Sequence, residues 1–409
     1  MLTRFSLYGF LKNQRYFEPF IILFFLEKGL SFTQIGFLVG FRELCINIME
    51  IPSGAFADLH GRRRSMILSF VSYMTAFLFF GLSRQYWQMF PAMFLFAVGE
   101  AFRTGTHKAM IFTWLRLQGR LDEKTRVYGY TRSWSKLGSA FSIILATMFV
   151  LLEGNYSTVF FYSIIPYGLG LLNFMTYPRE LEGQPVKGIS FGDILSHLAE
   201  TLRRTLTIRP LRRLMLESMG FEGIFKAAGD YLQPVIMGVA LALPLLKNQS
   251  EIRRNALLVG AVYLVLYLAS AYASRKSHKI TTCCGGEEPG SRLLWKIVLV
   301  IYAALAPLLF FEFYTLAVAG FLGLYLIQNF WRPILISRFD AFATETQGAT
   351  VLSIESQAKS VATMIAAPVL GLAVDFVKLH GIGGAFWPVG ITGAVVAGII
   401  LAAFLRKPA

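Results

Sequence analysis

Long apolar runs, each interrupted by a short polar stretch, recur along nearly the whole chain. A helix that crosses a bilayer needs about 20 mostly apolar residues. Windows of that kind begin near Phe5, Phe32, Ser65, Tyr86, Arg126 and Tyr156, and a second set begins near Leu211, Asn255, Arg292, Phe311, Thr346 and Gly381. The pattern predicts an all-α integral membrane protein of about twelve transmembrane helices. The longest polar stretch, 179–210, follows Pro178 and contains Gly183 and Pro185, so it separates an N-terminal half, 1–178, from a C-terminal half, 211–409. Within it Phe191, Leu195, Leu198 and Leu202 recur at helical spacing while Asp193, His197, Glu200, Arg203 and Arg204 take the other faces. That predicts a cytoplasmic linker with an amphipathic helix lying on the membrane surface and tethering the halves.

Short internal matches, each six spans apart, support a duplicated architecture. Arg15, Tyr16, Phe17, Glu18, Pro19 align with Asp230, Tyr231, Leu232, Gln233, Pro234, and Ser133, Trp134, Ser135, Lys136 align with Ser356, Gln357, Ala358, Lys359. In the first pair Pro19 removes a backbone hydrogen bond and is placed to kink span one near the midplane, and its partner in span seven is again polar and again precedes a proline.

Composition narrows the class further. The 409 residues are 55% hydrophobic, with no stretch left over for a soluble domain. The net charge of +15 does not indicate nucleic acid, because the basic residues are spread over interhelical loops. Placing the amino terminus in the cytoplasm concentrates Lys and Arg on the inner side, so both termini are expected in the cytoplasm of a cell (inner) membrane. The first apolar segment carries Lys12, Arg15 and Glu18 and resembles no cleavable signal, so it is expected to insert and remain. Cys45, Cys283 and Cys284 have no metal-binding spacing. No metal, cofactor or nucleic-acid partner is expected. The chain lacks the G-x-x-x-x-G-K-[ST] phosphate loop and any nucleophile and base constellation, so neither ATP-driven transport by this chain nor enzymatic activity is expected.

The break between the second and third apolar runs has the spacing G-x-x-x-D-x-x-G-R-R, from Gly54 through Asp58 and Gly61 to Arg62 and Arg63. Gly61 supplies the backbone freedom for a tight reversal. Gly54, one turn before Asp58, is placed where a missing side chain lets another helix come close. The arginines beside Asp58 are suited to pairing with it or with acidic headgroups. This stretch resembles the signature loop of the major facilitator superfamily of secondary transporters, with Leu59 where that pattern usually has a basic residue. Span eleven adds P-x-x-G-x-x-x-D at Pro368, Gly371 and Asp375, similar to the way many such carriers end that helix. Span five, reading Gly138, Ser139, Ala140, lacks the Gly-Pro-rich motif of drug/proton antiporters, and Ala273, Ser274, Arg275 lack the aspartate of a second signature loop. The resemblance implies two pseudo-symmetric six-helix halves, alternating access, a small-molecule substrate and a monomer in a lipid bilayer.

Charged residues inside the apolar runs mark candidate sites, because each costs about 2.5–3.5 kcal/mol at a helix centre on insertion scales. Span one has Asn13, Arg15, Tyr16 and Glu18, and span four has Glu100 and Arg103, with His107 expected on the same helical stripe. Span five has Arg132 and Lys136; span eleven has Glu355 and Lys359. In span seven Glu222, Lys226 and Asp230 are spaced to stack on one face, as a substrate or proton site or as a salt-bridge ladder, while Glu217 is placed near the membrane surface. Arg42, Glu43 and Glu50 add charge in span two, and Glu50 is read as structural.

The mixture of signs predicts a secondary active transporter of a small polar, charged or zwitterionic solute, coupled to an ion gradient through protons. Two alternatives stay open: an exporter of drugs or lipid-like amphiphiles, and a non-transporting receptor or assembly subunit with the carrier fold.

Overall fold

The computed structural model describes residues 1–120, 123–182, 203, 207–242, 249–340 and 348–405; no strand occurs among them. The amphipathic helix expected over Phe191 to Leu202 lies outside the described residues. Among the described residues eight helical segments are long and apolar enough to cross a membrane, and they fall in spans two, three, five, six, eight, nine, eleven and twelve. The remaining spans, one, four, seven and ten, recur every third position along the chain.

Three of those four are interrupted. Span one is a helix Leu2–Lys12, an irregular stretch, a single 3-10 turn Glu18–Phe20 and a helix Ile21–Glu27. Span seven runs through a helix Arg209–Ser218, a π-helical turn Met219–Ile224, a short helix Phe225–Gly229 and, after a break at Asp230 and Tyr231, a helix Leu232–Ala242. Both breaks lie just before the aligned prolines Pro19 and Pro234. Span four divides into Met89–Arg103 and Thr106–Leu117 at Gly105, whose φ is +77°. This corrects the single helical stripe expected for Glu100, Arg103 and His107, since an L side chain rarely adopts that φ and the residue there has none. Span ten, Tyr314–Asp340, is continuous but carries Gln328, Asn329 and Arg332 within its apolar run.

The described residues fall into two compact units: Met1–Gly29, Phe41–Ile189 and Leu246–Tyr267 in the first; Leu30–Gly40, Ser190–Leu245 and Leu268–Ala409 in the second. In the first, span three, Arg62–Leu82, packs against Met89–Arg103 and Thr158–Met175. Serine hydroxyls fasten it, with Ser65 donating to the Phe102 carbonyl at 3.0 Å and Ser69 to that of Gly99 at 2.6 Å. Between apolar surfaces in lipid, such hydrogen bonds and small-residue contacts replace the hydrophobic drive to associate. Aromatic rings fill the remaining space: Tyr167 lies edge-on to Phe77 at 4.9 Å and to Tyr73 at 5.1 Å.

In the second unit Phe221 stacks on Trp331 at 4.5 Å and meets Trp295 edge-on at 4.9 Å. Glu217 is fully buried in this unit. Arg338 holds it with two bonds of 2.7 and 3.0 Å, and Ser291 donates to it at 3.0 Å. The start of the helix Phe32–His60 also packs in this unit, where Gly36 rests on the Ala367 carbonyl and Gly371 on that of Phe32. Asp375 caps that helix start, accepting from the Phe32 N–H at 3.2 Å and the Thr33 N–H at 2.7 Å.

Candidate functional site

The helix Phe32–His60 ends one residue before Gly61, whose φ of +95° turns the chain directly into Arg62–Leu82. Arg62 donates to Thr113 Oγ1 at 2.7 Å, and Arg63 to the Phe174 and Met175 carbonyls at 3.2 and 2.7 Å. The Arg63 guanidinium thus sits at the C-terminal end of Thr158–Met175, where the helix dipole favours positive charge. Gly54 differs from expectation: no described atom lies within 4 Å of where its Cβ would be, so no close helix approach is made there. Nothing described bears on the Asp58 side chain.

In the first unit, the broken ends of spans one and four bring three charged side chains together. Arg15 donates to Glu100 Oε1 at 2.8 Å, Arg103 bonds Glu100 Oε2, and Arg103 Nε donates to the Tyr73 hydroxyl at 3.2 Å. Glu18 lies 3.9 Å from Arg15, farther than Glu100, so the neighbour in sequence is the weaker partner. With Glu18 near Arg15, the cluster sets two carboxylates against two guanidiniums.

Beside this cluster opens a cavity of about 400 Å³ lined by residues of spans one, four and five, including Tyr8, Lys12, Asn13, Arg103, His107, Lys108, Tyr128, Arg132, Ser135, Lys136 and Ser139. Its volume is within the range of small-molecule sites. The irregular turn after Lys12 and the break at Gly105 place Lys12, Arg103 and His107 on its wall, while Arg132 and Lys136, one turn apart, project from span five. The His107 ring stacks on Tyr8 at 3.7 Å and meets Phe5 edge-on at 5.5 Å. Among the sequence candidates, Asn13, Arg103, Arg132 and Lys136 line the cavity, and Arg15 and Glu100 stand behind Arg103. Tyr16 does not; it is buried against Phe149 at 5.2 Å. The sequence pattern does not single out Lys12, Lys108 or Tyr8 as cavity residues; Lys12 reads only as a polar interruption of the first apolar run.

The second unit holds a second charge network. Glu355 accepts from Arg332 at 2.7 and 3.3 Å and from the Ser218 hydroxyl, and its carboxylate is 4.0 Å from Lys359 Nζ. Glu222 lies 3.5 Å from Arg332, 3.6 Å from Lys359 and 3.5 Å from the Gln328 amide. Two carboxylates thus face two cations. Glu222 sits in the π-helical turn, Lys226 in the short helix that follows, and Asp230 at that helix's C-terminal cap. Arg332, the hub of this network, was not anticipated. The signal was present in Gln328 and Arg332, four residues apart in span ten, which stands six spans after the charged span four.

A model of the Major Facilitator Superfamily matches residues 10–346. An uncharacterized MFS-type transporter of Bacillus subtilis strain 168, YxaM, is 26% identical over 161 residues, a match that spans 39% of this chain and 36% of that protein. Among solved structures, the nucleoside transporter NupG superposes with a TM-score of 0.76 at 12% identity, covering 99% of both chains. The D-xylose–proton symporter gives 0.70 at 13% identity, covering 98% of this chain and 96% of that one. A POT family transporter in complex with 5-aminolevulinic acid gives 0.71 at 15% identity, covering 98% and 95%. At such identities these structures show a shared fold. With the family model spanning most of its length, the chain belongs to the Major Facilitator Superfamily.

Proposed function

We propose that the protein is a secondary active transporter that moves a small polar or charged solute by alternating access, with the proton as coupling ion. The observation that carries this reading is the cavity of about 400 Å³ walled by charged and hydroxyl side chains where spans one and four are interrupted. A wall of that kind favours a water-soluble solute over a lipid-like amphiphile, and it favours a carrier over a degenerate receptor, since unused buried charge is costly. Discontinuous helices of this sort are where carriers bind solutes. The similar folds include a nucleoside transporter and a sugar–proton symporter.

The halves 1–178 and 211–409 are the bodies proposed to rock, with the signature loop from Gly54 to Arg63 acting as a gate. Of Glu100, Glu222 and Glu355, Glu222 is the carboxylate proposed for proton exchange. Its cationic neighbours stand at 3.5 and 3.6 Å, whereas Glu100 and Glu355 are held at 2.8 and 2.7 Å. The looser pairs are the easier to exchange for a proton. Uptake into proteoliposomes with an imposed pH gradient tests the reading. Gradient-dependent accumulation that falls to simple equilibration in Glu222→Gln is expected. Flux indifferent to pH on both faces would overturn proton coupling, and no flux of any solute above empty liposomes would overturn the carrier.

A further inference from the structure

We infer that the cavity of the first unit takes an anionic solute, one bearing a carboxylate or phosphate group. This deepens the carrier reading of that cavity and rests on it. Among the described residues five basic side chains line the cavity, Lys12, Arg103, Lys108, Arg132 and Lys136, and no carboxylate does. Glu100 neutralises Arg103 from behind but already serves Arg15 as well. Lys12, Arg132 and Lys136 form no ion pair among the described residues. The Lys108 ammonium is placed over the Phe112 and Tyr128 rings at 5.5 and 5.6 Å, a contact that leaves its charge uncompensated.

A second observation is independent of the charges. His107 Nε2 is buried, lies on the cavity wall and has no hydrogen-bond partner. A buried polar atom without a partner in a roomy polar site implies a group that completes it. Arg132 and Lys136 repel one another across one helical turn. An anion relieves this repulsion by accepting from the ammonium and guanidinium groups together. A cation or a neutral polyol relieves none of the repulsion. Buried Tyr8 and Phe5 form the inner wall, which places the site inside the helix cluster and favours a soluble anion over a lipid headgroup.

The test is thermal unfolding of the full detergent-purified chain with inorganic phosphate, succinate and benzoate as probes. Succinamide and choline serve as the neutral and cationic counterparts, and phosphatidylglycerol as the lipid source of the same chemistry. Lys12→Gln and Lys136→Gln are run in parallel. At least one soluble anion is expected to raise the melting temperature, succinamide and choline are not, and each variant should weaken the anion's apparent Kd about tenfold. The unliganded variants should melt at or above the wild-type temperature, because each loses a charge that has no partner. The inference is overturned if no soluble anion stabilises, if only phosphatidylglycerol does, if choline or succinamide does so alone, or if both variants respond like wild type. Its failure is separable from that of the carrier reading. An anion that binds in the cavity but never crosses proteoliposomes keeps the site and ends the carrier reading; flux of a neutral or cationic solute through the same cavity does the reverse.

Discussion

Glu100 is held between Arg15 and Arg103, so its removal leaves two guanidiniums facing each other inside the bundle. Breaking a buried pair from one side costs about 3–5 kcal/mol, because the stranded charge loses its compensation. Glu100→Ala should therefore lower the melting temperature sharply, with Glu100→Gln intermediate, since its amide oxygen still accepts one bond. An unchanged melting temperature in Glu100→Ala would show that water already solvates the pair. Gly61 is the second residue whose identity is forced. At a φ of +95°, and with a Cβ placed 3.0 Å from the Glu182 carboxylate, Gly61→Ala should cost about 1–3 kcal/mol in the same assay. Gly61 was legible because a tight reversal between two helices asks for a residue without a side chain. The chief partner of Glu100 was not legible. Glu18 is three residues from Arg15, whereas Glu100 is 85 positions away in sequence, and local spacing favours the near one.

Among the elements, the four spans that fall short of a plain apolar crossing are the first, fourth, seventh and tenth. The interruptions of the first, fourth and seventh place polar groups where a uniform helix would turn them toward lipid. Proline made one of the breaks readable, at Pro19; the break before Pro234 was not read. The break at Gly105 was missed because a glycine among small polar residues also suits a continuous membrane helix, and only the backbone angle reveals it. The helix Phe32–His60 illustrates a cap supplied from a distant segment. Asp375 closes the motif that begins at Pro368, and the motif was readable, but its role as acceptor for the Phe32 and Thr33 amides depends on a contact about 340 residues away in sequence. Asp375→Ala should cost about 0.5–2 kcal/mol and speed hydrogen exchange at the first turn of that helix. Exchange there equal to wild type would mean that water replaces the carboxylate.

For the molecule as a whole, apolar periodicity and the signature loop were enough to reach the fold and the family, because bilayer thickness imposes one span length on every helix. They were not enough to reach the cavity, whose wall combines residues from spans one, four and five that no single stretch of sequence brings together. The central claim is that this cavity opens alternately to the two sides of the membrane. The most direct measurement replaces Cys45, Cys283 and Cys284 by serine, introduces Ser139→Cys on the cavity wall, and applies a membrane-impermeant thiol reagent to sealed vesicles of each orientation. Alternating access predicts labelling from either face, with a bound cavity ligand slowing both. Labelling from one face only, at any ligand concentration, would contradict the account and leave a one-sided binding protein.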